Sequence, residues 1–198
     1  MVQDIKKGDF LATLLRSSQT VFTTKEIALL WGKARDKATL ERIHYYLRAG
    51  QLYSIRRGLY AKNKEYDRLE AATKIYTPSY VSFETVLARA GITFQFYSRI
   101  LVASYLSRTL TADEQAYEYK KIKGAILTNH AGIDLGENYA IASPERAFLD
   151  ILYLYPTYHF DNVHPLNWDR VFELLPIYGK NARMAKRVRD LRAGVTQP

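Results

Sequence analysis

Six side chains in the first third of the chain form a spaced set of hydrogen-bond donors: Arg35, Lys37, Thr39 and Arg42, then Arg56 and Arg57. Guanidinium, ammonium and hydroxyl groups in such a row suit phosphate oxygens and base edges, the two acceptor surfaces of a DNA duplex. Groups suited to covalent or metal chemistry are sparse by comparison. There is no cysteine, so neither a disulfide framework nor a thiolate metal site is open to the chain. His44, His130, His159 and His164 show no paired zinc spacing and stand beside no credible nucleophile. His159, Asp161 and His164 could in principle form a ligand group, but in a loop rich in Pro, Asn and Tyr they read better as turn residues. Gly124, Gly132 and Gly136 lack the spacing and the strand-to-helix context of a phosphate loop. No metal, no cofactor and no catalytic residue is therefore expected. Glu145, Arg146 and Asp150 lie at helical spacing and invite an alternative, a metal-dependent nuclease carried by its carboxylates. The plainer reading gives Glu145 to the helix dipole and Arg146 with Asp150 to an i, i+4 ion pair.

The donors need elements to place them, and residues 23–62 supply these as a helix-turn-helix followed by a two-stranded wing. Thr24 is suited to cap a short helix carrying Ile27, Ala28, Leu30 and Trp31, and Gly32 can end it with a positive φ. A second helix fits within residues 36–49. There Leu40, Ile43 and Leu47 make one apolar stripe, and Lys37, Glu41, Arg42, Tyr45 and Arg48 face elsewhere. Residues 52–55 and 59–61 read as strands joined by a tight turn at Arg56-Arg57-Gly58. In such a unit the start of the second helix enters the major groove, which brings Arg35, Lys37, Thr39 and Arg42 to base edges. Arg56 and Arg57 at the hairpin tip would reach the minor groove or grip phosphates. A helix, helix, hairpin unit is also a common small packing motif, and in that reading its exposed Lys and Arg are only a solvated face.

A chain of 198 residues with 47% hydrophobic content has ample material for one large domain or two small ones. Its net charge of +9 is unevenly spread. Residues 1–62 hold 12 Lys and Arg against 5 Asp and Glu, residues 63–179 hold 11 against 14, and residues 180–198 hold 6 against 1. Head and tail are thus the anion-binding candidates. The first ten residues are charged where a signal peptide would be apolar, and no long apolar run follows, so a cytoplasmic protein with no membrane contact is expected. The 16 tyrosines could stack on bases, but most fall among apolar neighbours and read as edge-of-core residues.

Ahead of the paired helices, Ile5, Leu11, Leu14 and Leu15 suggest a supporting helix over residues 5–15. A connecting helix over residues 63–76 carries Tyr66, Leu69, Ala72 and Ile75 or Tyr76 on one side and stops at Thr77-Pro78. Ser82 is placed to cap a helix over 83–90 with Glu84 in its first turn. Strand patterns occupy 99–106, 117–127, 133–135 and 139–142, the last two joined by Gly136-Glu137-Asn138, which implies an antiparallel sheet. Ser143, Pro144 and Glu145 start a strong helix, and Asn167 caps another over 168–175. A basic helix over 181–192 places Met184, Val188 and Leu191 inward, leaving Arg183, Lys186, Arg187 and Arg189 as a candidate second nucleic-acid contact. The expected class is α+β. A winged helix-turn-helix domain (1–62) and a connecting segment (63–77) precede a mixed α/β domain with an antiparallel sheet (78–198).

Three stretches carry a family resemblance: Leu52-Tyr53-Ser54-Ile55-Arg56-Arg57-Gly58-Leu59-Tyr60, Tyr80-Val81-Ser82-Phe83-Glu84-Thr85-Val86-Leu87 and Ala142-Ser143-Pro144-Glu145-Arg146-Ala147-Phe148-Leu149-Asp150. In this order and spacing the chain resembles the AbiEi-type antitoxins and related transcriptional regulators. The resemblance implies an N-terminal winged helix that represses its own operon at inverted repeats in double-stranded DNA. It implies also a C-terminal domain that counters a co-encoded nucleotidyltransferase toxin of a type IV toxin–antitoxin system, without a stable complex. By position in such a unit, DNA contact falls to Arg35, Lys37, Thr39 and Arg42 in the second helix and to Arg56 and Arg57 at the wing tip.

Overall fold

Phe10 and Leu14, one helical turn apart, are both buried, and they orient the first described helix, Asp9–Arg16 (α1), against its neighbours. The computed structural model describes residues 9–95 and 97–196. The expected inward face of α1 included Leu15, which is 50% exposed, and Ile5, which lies outside the described residues. Phe10 takes the inner place instead, meeting the Trp31 ring edge-on at 5.2 Å while the Trp31 indole N–H donates to the Phe10 carbonyl at 2.8 Å.

The chain continues through Val21–Thr23 (β1), Thr24–Leu30 (α2), Lys37–Arg48 (α3), Tyr53–Arg56 (β2) and Leu59–Ala61 (β3). The strands form an antiparallel sheet in the order β1-β3-β2. α2 is capped by Thr23 and not by Thr24. The Thr23 hydroxyl accepts from the Glu26 N–H while the Glu26 carboxylate accepts from the Thr23 N–H, a reciprocal box that needs an acid three residues on. Ile27, three residues after Thr24, has nothing to return. Thr24 is buried and donates through its hydroxyl to the Gly58 carbonyl.

Arg68–Ile75 (α4), capped by the Asp67 carboxylate, lies against both parts of the molecule. Glu70 on α4 has no exposed surface. Its carboxylate accepts from the Thr20 N–H at 2.8 Å and the Thr20 hydroxyl at 2.7 Å, and pairs with Lys74 at 3.1 Å. Lys74 also pairs with Glu26 at 3.0 Å and donates to the Val21 carbonyl at 2.6 Å. Around this polar seam, Val21, Ile55, Leu59 and Ala61 share one apolar cluster with Ala71 and Ala72 of α4 and with Val102, Tyr117 and Tyr119 further along the chain.

Those later residues belong to a second sheet, built from Ser79–Val81 (β4), Ile100–Ser104 (β5), Arg108–Ala112 (β6), Gln115–Lys121 (β7), Ile133–Asp134 (β8) and Ile141–Ala142 (β9). Its order is β6-β7-β5-β4-β9-β8. Three neighbouring pairs are antiparallel as expected, but β5–β7 and β4–β9 are parallel, so the sheet is mixed. For β5–β7 the cause is β6, unread in the sequence: it folds back on β7 at the outer edge and so returns β7 in the direction of β5. The strand expected over 117–127 stops at Lys121, and Gly124–Leu127 (α6) is helical. Glu84–Arg89 (α5) is shorter than expected and has no side-chain cap. Phe83 occupies the cap position at φ +57, its buried ring held in the core.

Ser82 is engaged elsewhere. Pro144–Leu154 (α7), started as expected by Ser143 and Pro144, carries Arg146 and Asp150, neither with any exposed side-chain surface. Asp150 accepts from the hydroxyls of Ser82 at 2.7 Å, Tyr178 at 2.7 Å and Tyr80 at 3.0 Å, with the Arg146 Nε at 3.5 Å. The Arg146 guanidinium lies between the Tyr80 and Tyr178 rings and donates to the carbonyls of Ile126 and Ala131. One ion pair thus joins β4, the turn at its end, α6, α7 and the 3₁₀ turn Leu175–Tyr178. Trp168–Leu174 (α8), capped by Asn167, and Ala182–Thr196 (α9) cover the remaining flank, with Val171, Leu174, Met184 and Val188 in the main core.

The seam at α4 gives a stability prediction. Glu70→Ala leaves Lys74 and the Thr20 N–H without their buried acceptor, and breaking a buried pair on one side costs about 3–5 kcal/mol. The Glu26 partner of Lys74 survives, so the expected loss in urea unfolding lies near the lower figure. A loss below about 1 kcal/mol, the scale of an exposed ion pair, would remove Glu70 from this role.

Candidate nucleic-acid interface

The α2–α3 turn and the start of α3 place the first group of donors. Asp36 caps α3, accepting from the Thr39 N–H at 2.9 Å, and that hydrogen bond holds the Asp36 carboxyl below its ordinary value. Thr39 is buried, and its hydroxyl donates to the Ala34 carbonyl at 2.8 Å. Thr39 therefore fastens the turn from within, and its hydroxyl proton is already placed. Arg35 and Lys37 are exposed at the head of the helix, Lys37 standing 3.8 Å from Glu41 across one turn. Arg42 differs from both. It is half-buried, its guanidinium stacks 4.1 Å over the Phe10 ring, and it lines a cleft with Leu11, Glu41, Tyr45 and Gln51. The outward stripe of α3 consists of Lys37, Glu41, His44, Tyr45 and Arg48. His44 and Arg48 were not among the expected contacts, although their spacing from Lys37 is that of a single helical face.

Arg56 ends β2 and Arg57 stands in the turn, both exposed. Gly58 follows at φ +82, a conformation that side chains resist, and its carbonyl accepts from the Thr24 N–H at 3.1 Å. That contact seats the turn on the first turn of α2, so exposed Lys25, next in the chain, joins Arg56 and Arg57. Sequence reading missed Lys25 because only the Thr24–Gly58 contact shows it. On the other side of the hairpin, Tyr53 of β2 donates through its hydroxyl to Asp113 at the β6–β7 turn, as does Tyr66 at 2.9 Å. Arg68 donates to the Asp113 carbonyl at 3.0 Å. The Tyr53 hydroxyl, followed by that of Tyr66 and the charge of Arg68, holds the Asp113 carboxyl below its ordinary value.

On α9, Arg183, Lys186 and Arg189 are exposed, whereas Arg187 is half-buried and donates to the Tyr158 carbonyl at 3.5 Å. The carboxylates of the ligand and nuclease readings, Glu145, Asp150 and Asp161, are engaged. Asp150 is enclosed in its hydroxyl cage, Glu145 accepts from the Asn167 N–H at 3.2 Å, and Asp161 accepts from the Phe94 N–H at 2.8 Å. Among the described residues no group of three or more His, Asp or Glu is placed to hold a metal ion. No described helix is long and apolar enough to cross a membrane.

Residues 9–61, α1 to the end of β3, match the family model described as transcriptional regulator, AbiEi antitoxin. The match meets the resemblance seen in the sequence and supports a DNA-binding regulator and antitoxin role, and the residues matched include the exposed basic residues of α3 and the β2–β3 turn. No curated protein matches the chain.

The Asp113 contact has a pH signature. Its carboxylate is favoured in the folded state, so the contribution is full above the ordinary value of 3.8 and fades as pH falls through the lower folded value. Asp113→Asn, which tolerates the φ of +47 at this position, is expected to lower the melting temperature by a few degrees at neutral pH. The gap between variant and wild type should narrow in melts taken below pH 4. A gap that widens on acidification would contradict the assignment.

Proposed function

We propose that the protein is a DNA-binding repressor of its own promoter and the antitoxin of a type IV toxin–antitoxin pair. The observation that carries this reading is the coincidence of an outward helix face, a seated arginine turn and the family match within residues 9–61. In this reading the unit is a winged helix-turn-helix. α3 enters the major groove with Arg35 and Lys37 leading and Arg48 at its far end, and the β2–β3 hairpin is the wing. Arg56, Arg57 and Lys25 grip phosphate or reach the minor groove. Thr39 is left out because it holds the turn, and Arg42 contacts bases only by leaving the Phe10 ring. The operator is an inverted repeat in double-stranded DNA. The second sheet with its helices, residues 78–198, counters a co-encoded nucleotidyltransferase toxin without forming a stable complex, and the exposed arginines of α9 add a second nucleic-acid contact.

Electrophoretic mobility shifts against the upstream region test the reading. About six phosphate contacts imply a loss of roughly 10³-fold in affinity between 50 and 200 mM salt. Arg57→Ala should weaken specific and random DNA alike and reduce the salt slope by about one, while Lys37→Ala, if it reads a base, should relax preference at one position by roughly 1–3 kcal/mol. Binding that ignores salt, or no binding at all, would refute the DNA-binding assignment.

A further inference from the structure

Away from the basic face, α4, α5 and the approach to β5 enclose a cleft of about 530 Å³ lined by Arg68, Glu84, Arg89, Tyr97, Arg99 and Tyr139 among others. Glu84 is 5% exposed, and its Oε2 has no hydrogen-bond partner. A buried carboxylate oxygen without a donor is costly, and on a residue that lines a cleft it marks a group that an N–H donor would complete. Apart from Asp67, whose carboxylate is taken up in capping α4, the other charged residues around the cleft have the opposite polarity. Arg89 is exposed on the last turn of α5, Arg99 is half-exposed while pairing with Glu118 at 2.8 Å, and Arg68 of α4 lines the wall while donating to the Asp113 carbonyl. Tyr97 and Tyr139 are half-buried and offer planar surfaces.

We propose that this cleft binds a guanine nucleotide. Guanine presents two adjacent donors on one edge, the ring N1–H and the exocyclic amino group, which match a carboxylate. Adenine places a donor beside a lone pair, which a carboxylate repels. The phosphates meet Arg89 and Arg99, and the base lies against a tyrosine ring. A polyamine or basic peptide would satisfy Glu84 but be repelled by three guanidinium groups, and inorganic phosphate would satisfy the arginines and leave Glu84 unpaired. The volume falls within the range of about 300–1,000 Å³ usual for small-ligand sites.

The test is calorimetric titration of the full chain, without DNA, using GDP, ADP and inorganic phosphate, so that its outcome is independent of the promoter reading. GDP is expected to bind at least about tenfold more tightly than ADP, because a site built to meet donors rejects the analogue that lacks them. Glu84→Gln, checked for folding by its melting curve, should remove most of that preference. Arg89→Ala, at an exposed position, should weaken GDP and ADP by similar factors. Absence of GDP binding at millimolar concentration, an equal affinity for ADP, or full displacement of GDP by equimolar phosphate would each overturn the assignment.

Discussion

A carboxylate with no exposed surface, Glu70, sits where the two sheets meet, and its partners decide how the N-terminal unit stands on the rest of the chain. Burying two charges seldom stabilises more than an apolar pair of the same size would, because desolvation offsets most of the attraction. A buried pair does demand its geometry. Lys74 must reach Glu70, Glu26 and the Val21 carbonyl together, which fixes α4 against β1 and against the capping box of α2. The opposite edge of the same sheet is held by Asp113 through Tyr53. In the order β1-β3-β2 both outer strands are therefore fastened to the body, and the hairpin arginines have a fixed bearing relative to α3.

What could be read in the sequence was what short-range chemistry decides. Ser143 and Asn167 cap the helices they were expected to cap, since each cap needs only a hydroxyl or amide beside the N–H groups that follow. Thr23 was legible too, through Glu26, but the neighbouring Thr24 was read in its place. Ser82 misled for the converse reason: the group that claims its hydroxyl, Asp150, is 68 residues away. β4 and β6 left no clear alternation, being three and five residues long; with β6 unread the parallel β5–β7 pair could not be foreseen, and with β4 unread neither could β4–β9.

The candidate site divides along the same line. Residue types and position picked out Arg35, Lys37, Arg56 and Arg57 as candidates, and the fold leaves all four exposed. Spacing alone could not show that Thr39 would be spent on Ala34, or that Arg42 would settle on Phe10 of α1. Arg146 and Asp150 were recognisable as a pair, but nothing local announces that three hydroxyls from distant segments close over them.

The cluster shared by the two sheets has a consequence for synthesis on the ribosome. Val21, Leu59 and Ala61 finish their strands early, yet the surface they pack against is not complete until Tyr117 and Tyr119 have been made. At elongation rates of 5–20 residues per second, the 58 residues between Ala61 and Tyr119 take roughly 3–12 s to emerge. For that interval the nascent N-terminal unit carries an uncovered apolar flank, the kind of surface that favours non-specific association until β7 closes over it.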